Sequence, residues 1–360
     1  LWYNKNRKRK QYRDKATFTK EATQMYNNLN DLKAGTNGDI TVMVRAIEVK
    51  TISGKDEQYQ LFFVRDTNDC EKTFMRFGAL LDVIPPAIVT LNVHCCEYRG
   101  DMCVKIQRCA VIEGASYYDY LPKAHIDTID QLKKVTSPTV KGLRKSLYTI
   151  VSNTLNPINA KYMHHPLTTH NAFSRQAGIH EATLQMVQRV KLNAELEGYD
   201  CDMMLAAALL YYIGSIKAIN DNYVITREGK LYSPGILASK ILTESINNAI
   251  NSGKIKKEDV NWDELEILDY LLLARDRNTP PVMAEAAFLI QQDKAIRERD
   301  ERETALAKAE TGTFVKDSSG HEWLKMQSFV LAEPQANKNE EEQADDTNAE
   351  EEPASTNANT

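Results

Sequence analysis

Residues 202–216 read DMMLAAALLYYIGSI, and the reading of the helical half of the chain turns on them. The apolar run Met203 to Leu210 falls short of the roughly 20 residues that a membrane-spanning helix needs. It fits a buried core helix ending at Tyr211-Tyr212-Ile213-Gly214. Helical spacing continues on both sides of it. Upstream, Ile179, Ala182, Thr183, Met186, Val190 and Leu196 mark the buried face of a helix over 178–197. Before that, Leu143, Leu147, Ile150, Val151 and Leu155 recur at helical spacing from about residue 136 and stop before Asn156-Pro157. Downstream, Pro234 opens an amphipathic helix to about Asn251, with Ile236, Leu237, Ile241, Leu242, Ile246 and Ile250 on one stripe. Residues 262–275 make another, and Pro281 suits the first turn of a long helix to about Lys308 whose second half is nearly all charged.

The first third changes period. ITVMVRAIEV, QYQLFFVRD, KTFMRF, TLNVHCCEY and DMCVKIQRCAVI are separated by turn residues, among them Ser53-Gly54, Thr67-Asn68-Asp69 and Arg99-Gly100. Five short strands in about 80 residues predict a small closed barrel of the OB type, with Pro85-Pro86 in the connection between strands three and four. The fold class expected is therefore α+β in two domains. Residues 1–30 form a basic arm, 31–115 the barrel, 116–135 a linker with a short helix, 136–332 a helical domain ending in a segment with Trp323, and 333–360 a disordered acidic tail.

Charge is unevenly laid out. The net −5 combines eight bases against Asp14 in the first twenty residues with nine acids against Lys338 from Glu333 onward. The N-terminus lacks the apolar core of a signal peptide, so a cytoplasmic protein with no membrane contact is the default expectation. Six cysteines include no CxxC pair, which argues against a zinc finger and for free thiols. An OB barrel with a basic arm points to single-stranded nucleic acid: cations neutralise phosphates and aromatic rings stack on bases. Lys8, Arg9, Lys10 and Arg13 of the arm, and Phe62, Arg65, Phe74 and Arg76 of the barrel, are the candidates for that contact.

GIHEATLQMV at 178–187, LAAALLYYIGSI at 205–216 and EAAFLIQQD at 285–293 resemble G-L-L-E-H-T-L-S-M-V, L-A-G-A-I-L-H-D-I-G-K-I and E-A-L-I-L-H-Y-A-D of the YhaM-type 3′–5′ exoribonucleases. That family joins an OB-fold to an HD phosphohydrolase domain. The resemblance spans roughly residues 36–330 and implies a helical domain of HD type. HD chemistry uses a divalent metal, manganese or magnesium, held by imidazole and carboxylate. Laid on the family's pattern, Ala182 stands where the first His ligand belongs and Tyr211 and Tyr212 where the His-Asp pair belongs. Ser215 stands where a Lys is common, the later His-His pair falls at about Ala274-Arg275, and Asp293 matches the final Asp.

Alanine offers no ligand, and a phenol must lose a proton of pKa about 10 to bind a metal well. The reading is thus a non-catalytic relative, without a cofactor, that binds single-stranded nucleic acid or a protein partner. Its helical domain is a scaffold for self-association into a homo-oligomer. Two alternatives stand beside it. One is a metal-dependent 3′–5′ exonuclease with unusual ligands, for which His170, His180 and Asp293 are the candidates. The other is a protein-binding adaptor or inhibitor, of a kind viruses encode.

Overall fold

The computed structural model describes residues 24–326, apart from 55, 99, 125–128 and 308. Lys8, Arg9, Lys10 and Arg13 of the arm and the acidic tail 333–360 lie outside the described residues. The chain divides into two compact units, Leu1–Glu301 and Arg302–Thr360.

The first unit opens with β1 (Met25–Tyr26), β2 (Asn37–Thr51), β3 (Gln58–Arg65), β4 (Glu71–Phe77), β5 (Ala87–Tyr98) and β6 (Asp101–Val111). The long strand β2 pairs antiparallel with β5 through residues 37–44 and with β3 through residues 43–51. The register shift between Val44 and Ala46 bends it from one partner to the other, which is what a bulge does at a barrel corner. β3–β4 and β5–β6 are antiparallel, and a parallel bridge between β4 and β6 at Met75 and Lys105 closes the ring. This five-stranded closed barrel has the strand order of an OB-fold. Every second residue points inward: Ile40, Val42, Val44, Phe62, Val64, Phe74, Val89, Leu91, Val93, Val104 and Ile106 form its core. Leu29 extends that core, held by its N–H donating to Asp66 Oδ2 at 2.8 Å.

The helical region that follows contains α1 (Ile129–Gly142), α2 (Lys145–Leu155), α3 (Asn159–His164), α4 (Gly178–Asn193), α5 (Cys201–Leu210), α6 (Ser215–Ala218), α7 (Arg227–Leu231), α8 (Pro234–Asn251), α9 (Trp262–Ala274) and α10 (Ala284–Ala307). Its centre is α5, whose Met203, Met204 and Ala206 to Leu210 are all buried. By length and composition the stretch Cys201–Ala218 could cross a membrane, but 78% of it is buried inside the fold, as in a core helix. Asp200 caps α5 by accepting from Met203 N at 3.0 Å, and Ser233 caps α8 ahead of Pro234. Arg144 ties three elements together. Its backbone N–H donates to Asp202, its Nη1 to Asp200 and its Nε to Glu264, all at 2.7–2.8 Å. At Gly214 a Cβ would lie 1.9 Å from Pro234 O, so the start of α8 rests directly on the α5–α6 junction and admits no side chain there.

Two boundaries differ from the sequence reading. α1 begins at Ile129, inside the stretch 116–135 read as a linker with a short helix, and runs on to Gly142, with Leu132 buried against Ala177 and Leu184. The helix read from about 136 to 155 is two helices, broken at Leu143-Arg144 where the Arg144 N–H turns to Asp202.

In the second unit, β7 (Phe314–Lys316) and β8 (Glu322–Leu324) form a hairpin. Asp317 organises its turn, accepting from Ser319 N and His321 N at 2.9 Å and from Trp323 Nε1 at 2.8 Å.

Candidate functional site

The outer face of the barrel sheet carries an aromatic surface. On β3, Tyr59, Leu61 and Phe63 share this face, and pairing sets them against Phe77, Met75 and Thr73 of β4. The Tyr59 and Phe77 rings stack at 5.5 Å between centroids with 19° between their planes, and Phe77 is 42% exposed. Lys50 lies across from Tyr59 on β2, and Lys105 is the partner of Met75 on β6. The ring pair can stack on flat bases, while Lys50 is already ion-paired to Glu48 at 3.2 Å.

Of the barrel residues singled out in the sequence, Phe62, Phe74 and Arg76 lie on the opposite face and Arg65 on this one. Phe62 and Phe74 are fully buried and form the centre of the barrel core. Arg65 is also buried, with Nε donating to Glu71 at 2.8 Å. Arg76 holds the barrel closed: its Nη1 donates to Ile106 O at 3.0 Å and Gln107 O at 2.9 Å, and its Nε to Ala79 O. Phe62, Phe74 and Arg76 are thus structural, and Arg65 is ion-paired to Glu71 and Asp69. The phase was hard to read because both faces of β3 are largely apolar and the inner face holds a polar residue. Gln60 is buried with its amide bonded to the backbone of Leu81 through both ends, at 3.0 and 2.8 Å.

Next to the aromatic face lies a cavity of about 410 Å³ lined by Arg45, Ala46, Phe63, Glu71, Lys72 and Thr73 of the barrel and by His170 of the helical region. A second, of about 290 Å³, shares Arg45 and His170 with it. It runs between Met43, Arg65 and Pro86 on the barrel side and Ser174, Tyr223, Ile225 and Lys230 on the helical side.

Four of the positions picked out around the opening helix, Tyr211, Tyr212, Arg275 and Asp293, come together. Arg275, at the end of α9, places its guanidinium 4.6 Å from the Tyr211 ring centre and 5.7 Å from that of Tyr212. Its Nη1 donates to Tyr211 O at 2.7 Å, and its Nη2 lies 3.7 Å from Asp293 Oδ2. Arg297 donates to the other Asp293 oxygen at 2.8 Å. Burial pushes both phenols above their ordinary pKa, and the Asp293 charge raises Tyr212 further. Neither phenol oxygen has a hydrogen-bond partner among the described residues. Ala182, on α4, is buried and supplies no donor atom. Two protonated phenols, one carboxylate already held by two arginines and a guanidinium among them do not fit a divalent cation. The arrangement is a buried cation–π and ion-pair cluster.

The remaining metal candidates do not converge with Asp293. His180 is buried on α4, its Nε2 3.1 Å from Thr136 Oγ1 and its ring against Tyr162, while His170 is exposed at the two cavities. Among the described residues no group of three or more His, Cys, Asp or Glu side chains is placed to hold a metal.

His180 has a different consequence. Burial first, then the nearby His164 and Lys133, push its pKa down to about 4. The unfolded chain takes up this proton near pH 6.5 and the folded chain does not. The stability His180 contributes is therefore complete above about pH 6.5 and is lost as pH falls toward about 4, up to roughly 3 kcal/mol. His164 and His165, also depressed by burial, act with the same sign. Denaturant unfolding at pH 7 and in mild acid is expected to show the loss, and His180→Gln to remove the largest part of it. An unchanged acid sensitivity in His180→Gln would rule this assignment out.

No protein-family model matches the chain, and no curated protein matches it. Among solved structures, the second OB-fold domain of replication protein A from Methanococcus maripaludis is similar at 14% identity and a TM-score of 0.22, over 26% of this chain and 98% of that one. A crystal structure of a domain of the same protein aligns at 18% identity and 0.21, over 25% and 97%. An OB domain from Thermoplasma acidophilum aligns at 12% identity and 0.22, over 29% and 96%.

Proposed function

We propose that this chain is a non-catalytic binder of single-stranded nucleic acid that takes bases on the outer face of β3 and β4. The observation that carries the reading is the stacked Tyr59–Phe77 pair on an OB-type barrel, with Phe63 half-buried in line with it. In that fold this face of the second and third barrel strands is where oligonucleotides bind. Within residues 24–115 ten bases stand against twelve acids, so the barrel alone exerts little long-range attraction for phosphate. Stacking then supplies most of the barrel's affinity, and the basic arm supplies most of the salt-dependent part.

The helical region, on this reading, is a degenerate HD-type scaffold in which the Arg275 guanidinium takes the place of the metal charge. What supports this is convergence. Tyr211, Tyr212, Arg275 and Asp293, far apart in sequence, meet at one buried place, and they are positions the family pattern marks for metal binding.

Fluorescence anisotropy with labelled oligouridylate and oligothymidylate at low salt tests the binding. Each stacked base is worth about 1–3 kcal/mol, so Tyr59→Ala with Phe77→Ala is expected to weaken binding at least tenfold. Phe62→Leu is expected to change stability and leave affinity nearly untouched. The reading fails if the unaltered chain binds neither oligonucleotide at low salt. Its non-catalytic part fails if the chain degrades labelled RNA with manganese and Asp293→Ala abolishes that activity.

A further inference from the structure

We propose that the groove between the barrel and the helical region holds the phosphate backbone of the same single strand, so that the helical region forms half of the binding site. This rests on the single-strand reading above.

The groove is continuous with the aromatic face. Phe63 belongs to that face and also lines the larger cavity, and the larger cavity shares Arg45 and His170 with the smaller one. Along this path Lys72 and Lys230 supply positive charge beyond the ion-paired Arg45 and Arg65. Glu71 is the single carboxylate among the described lining residues. It accepts from both Arg45 and Arg65, and Asp69 lies 3.7 Å from Arg65, so the two arginines are balanced and the net positive charge of the groove comes from Lys72 and Lys230. Asp221, next to the helical wall, is engaged by Lys161 at 2.7 Å. A cleft of one sign with low-dielectric walls concentrates the opposite charge.

The far wall is held in place for such a task. Phe173, Ala177 and Tyr223 have φ of 57°, 56° and 57°, left-handed values that cost non-glycine residues energy. They border the two loops that supply Ser174 and Asn222 to the wall. The first loop is anchored from behind: Arg175 bonds to Glu181 and Asp300, and the Phe173 N–H donates to Asp300 at 2.7 Å. Tyr223 packs on the His165 ring at 5.7 Å. A preformed wall loses little entropy on binding.

The test compares strands of about 4 and about 16 nucleotides, the two ends of the range for an OB-fold site. The probe is whichever of fluorescein-labelled oligouridylate and oligothymidylate the full chain binds more tightly. Lys230→Glu and, separately, His170→Glu change exposed side chains on the far wall, and unchanged thermal melts check that folding is intact. Each is expected to weaken binding of the long strand by about tenfold and to leave the short strand within about twofold. Lys230→Ala is expected to reduce the slope of log affinity against log salt by about 0.7 for the long strand, the release of one phosphate contact. Tyr59→Ala with Phe77→Ala weakens both strands. If both far-wall variants bind the long strand as the parent does, with the same salt slope, while the aromatic variant is weakened, the groove assignment is overturned and the single-strand reading stands. If the parent chain binds neither strand, both fall together.

Discussion

Arg175→Ala is expected to lower the stability of the helical region by about 3–5 kcal/mol, the largest single effect available in this fold. Arg175 bonds Glu181 through two nitrogens at 2.9 and 2.7 Å and Asp300 through Nη1 at 2.9 Å, with a second contact to Asp300 through Nη2. All three side chains are at most 6% exposed. Removing the arginine leaves two carboxylates buried near one another with no counter-charge. The melting temperature should fall by roughly 10 °C. The triple change Arg175→Met, Glu181→Gln, Asp300→Asn removes the charges together and should cost far less, because the penalty comes from the stranded charges and not from losing the pair. Circular dichroism melts and urea unfolding separate the two cases. A loss below about 1 kcal/mol for Arg175→Ala would mean that water or a rearranged side chain compensates, contrary to the packing described. The triad also fixes the loop through Phe173, so the same variant should lose affinity for long single strands more than for short ones.

Arg275→Ala should come second, at about 2–4 kcal/mol. It removes the hydrogen bond to Tyr211 O, the cation facing two buried rings and one of the two arginines beside Asp293. Arg297 still holds Asp293 at 2.8 Å, which is why the loss should be smaller than at Arg175. Arg275→Lys should rescue only part, since an ammonium cannot bond Tyr211 O, face both rings and reach Asp293 from one planar group. Combining Arg275→Ala with Asp293→Ala should cost less than the sum of the two, because they share one interaction. Strict additivity would show that the guanidinium and the carboxylate are not coupled, and would remove the ground for reading the cluster as one unit.

Both effects sit behind the proposed binding surface. The Arg175 cluster sets the loop that walls the groove. The Arg275 cluster joins the end of α5 to α9 and α10, and so holds together the core on which that wall is built.

Local sequence was enough wherever one segment settles its own structure. Pro234 after Ser233 begins α8, which ends at Asn251 as its stripe indicates, and the turn residues separate five strands whose pairing closes an OB-type barrel. The run Met203 to Leu210 identifies the core helix because a segment apolar on every side can be stable only when surrounded. Periodicity failed where both phases of a pattern were acceptable. In QYQLFFVR either Phe62 or Phe63 could face inward, and only the pairing of β3 with β2 and β4 put Phe62 in the core and Tyr59 and Phe63 on the outer face. A shift of one residue exchanges the two faces entirely. Arg65 and Arg76 looked available for phosphate because a cation's partners are invisible in its own segment. Glu71 and the carbonyls of Ile106 and Gln107 hold them. The tyrosine pair was legible as a replacement, but the guanidinium between the rings arrives from a helix more than 60 residues away. Sequence alone thus determined the barrel strands, the long helices and their order. Tertiary packing decided which face of β3 meets solvent, which cations are already engaged and what charge fills the buried cluster, because each depends on contacts between segments distant in the chain.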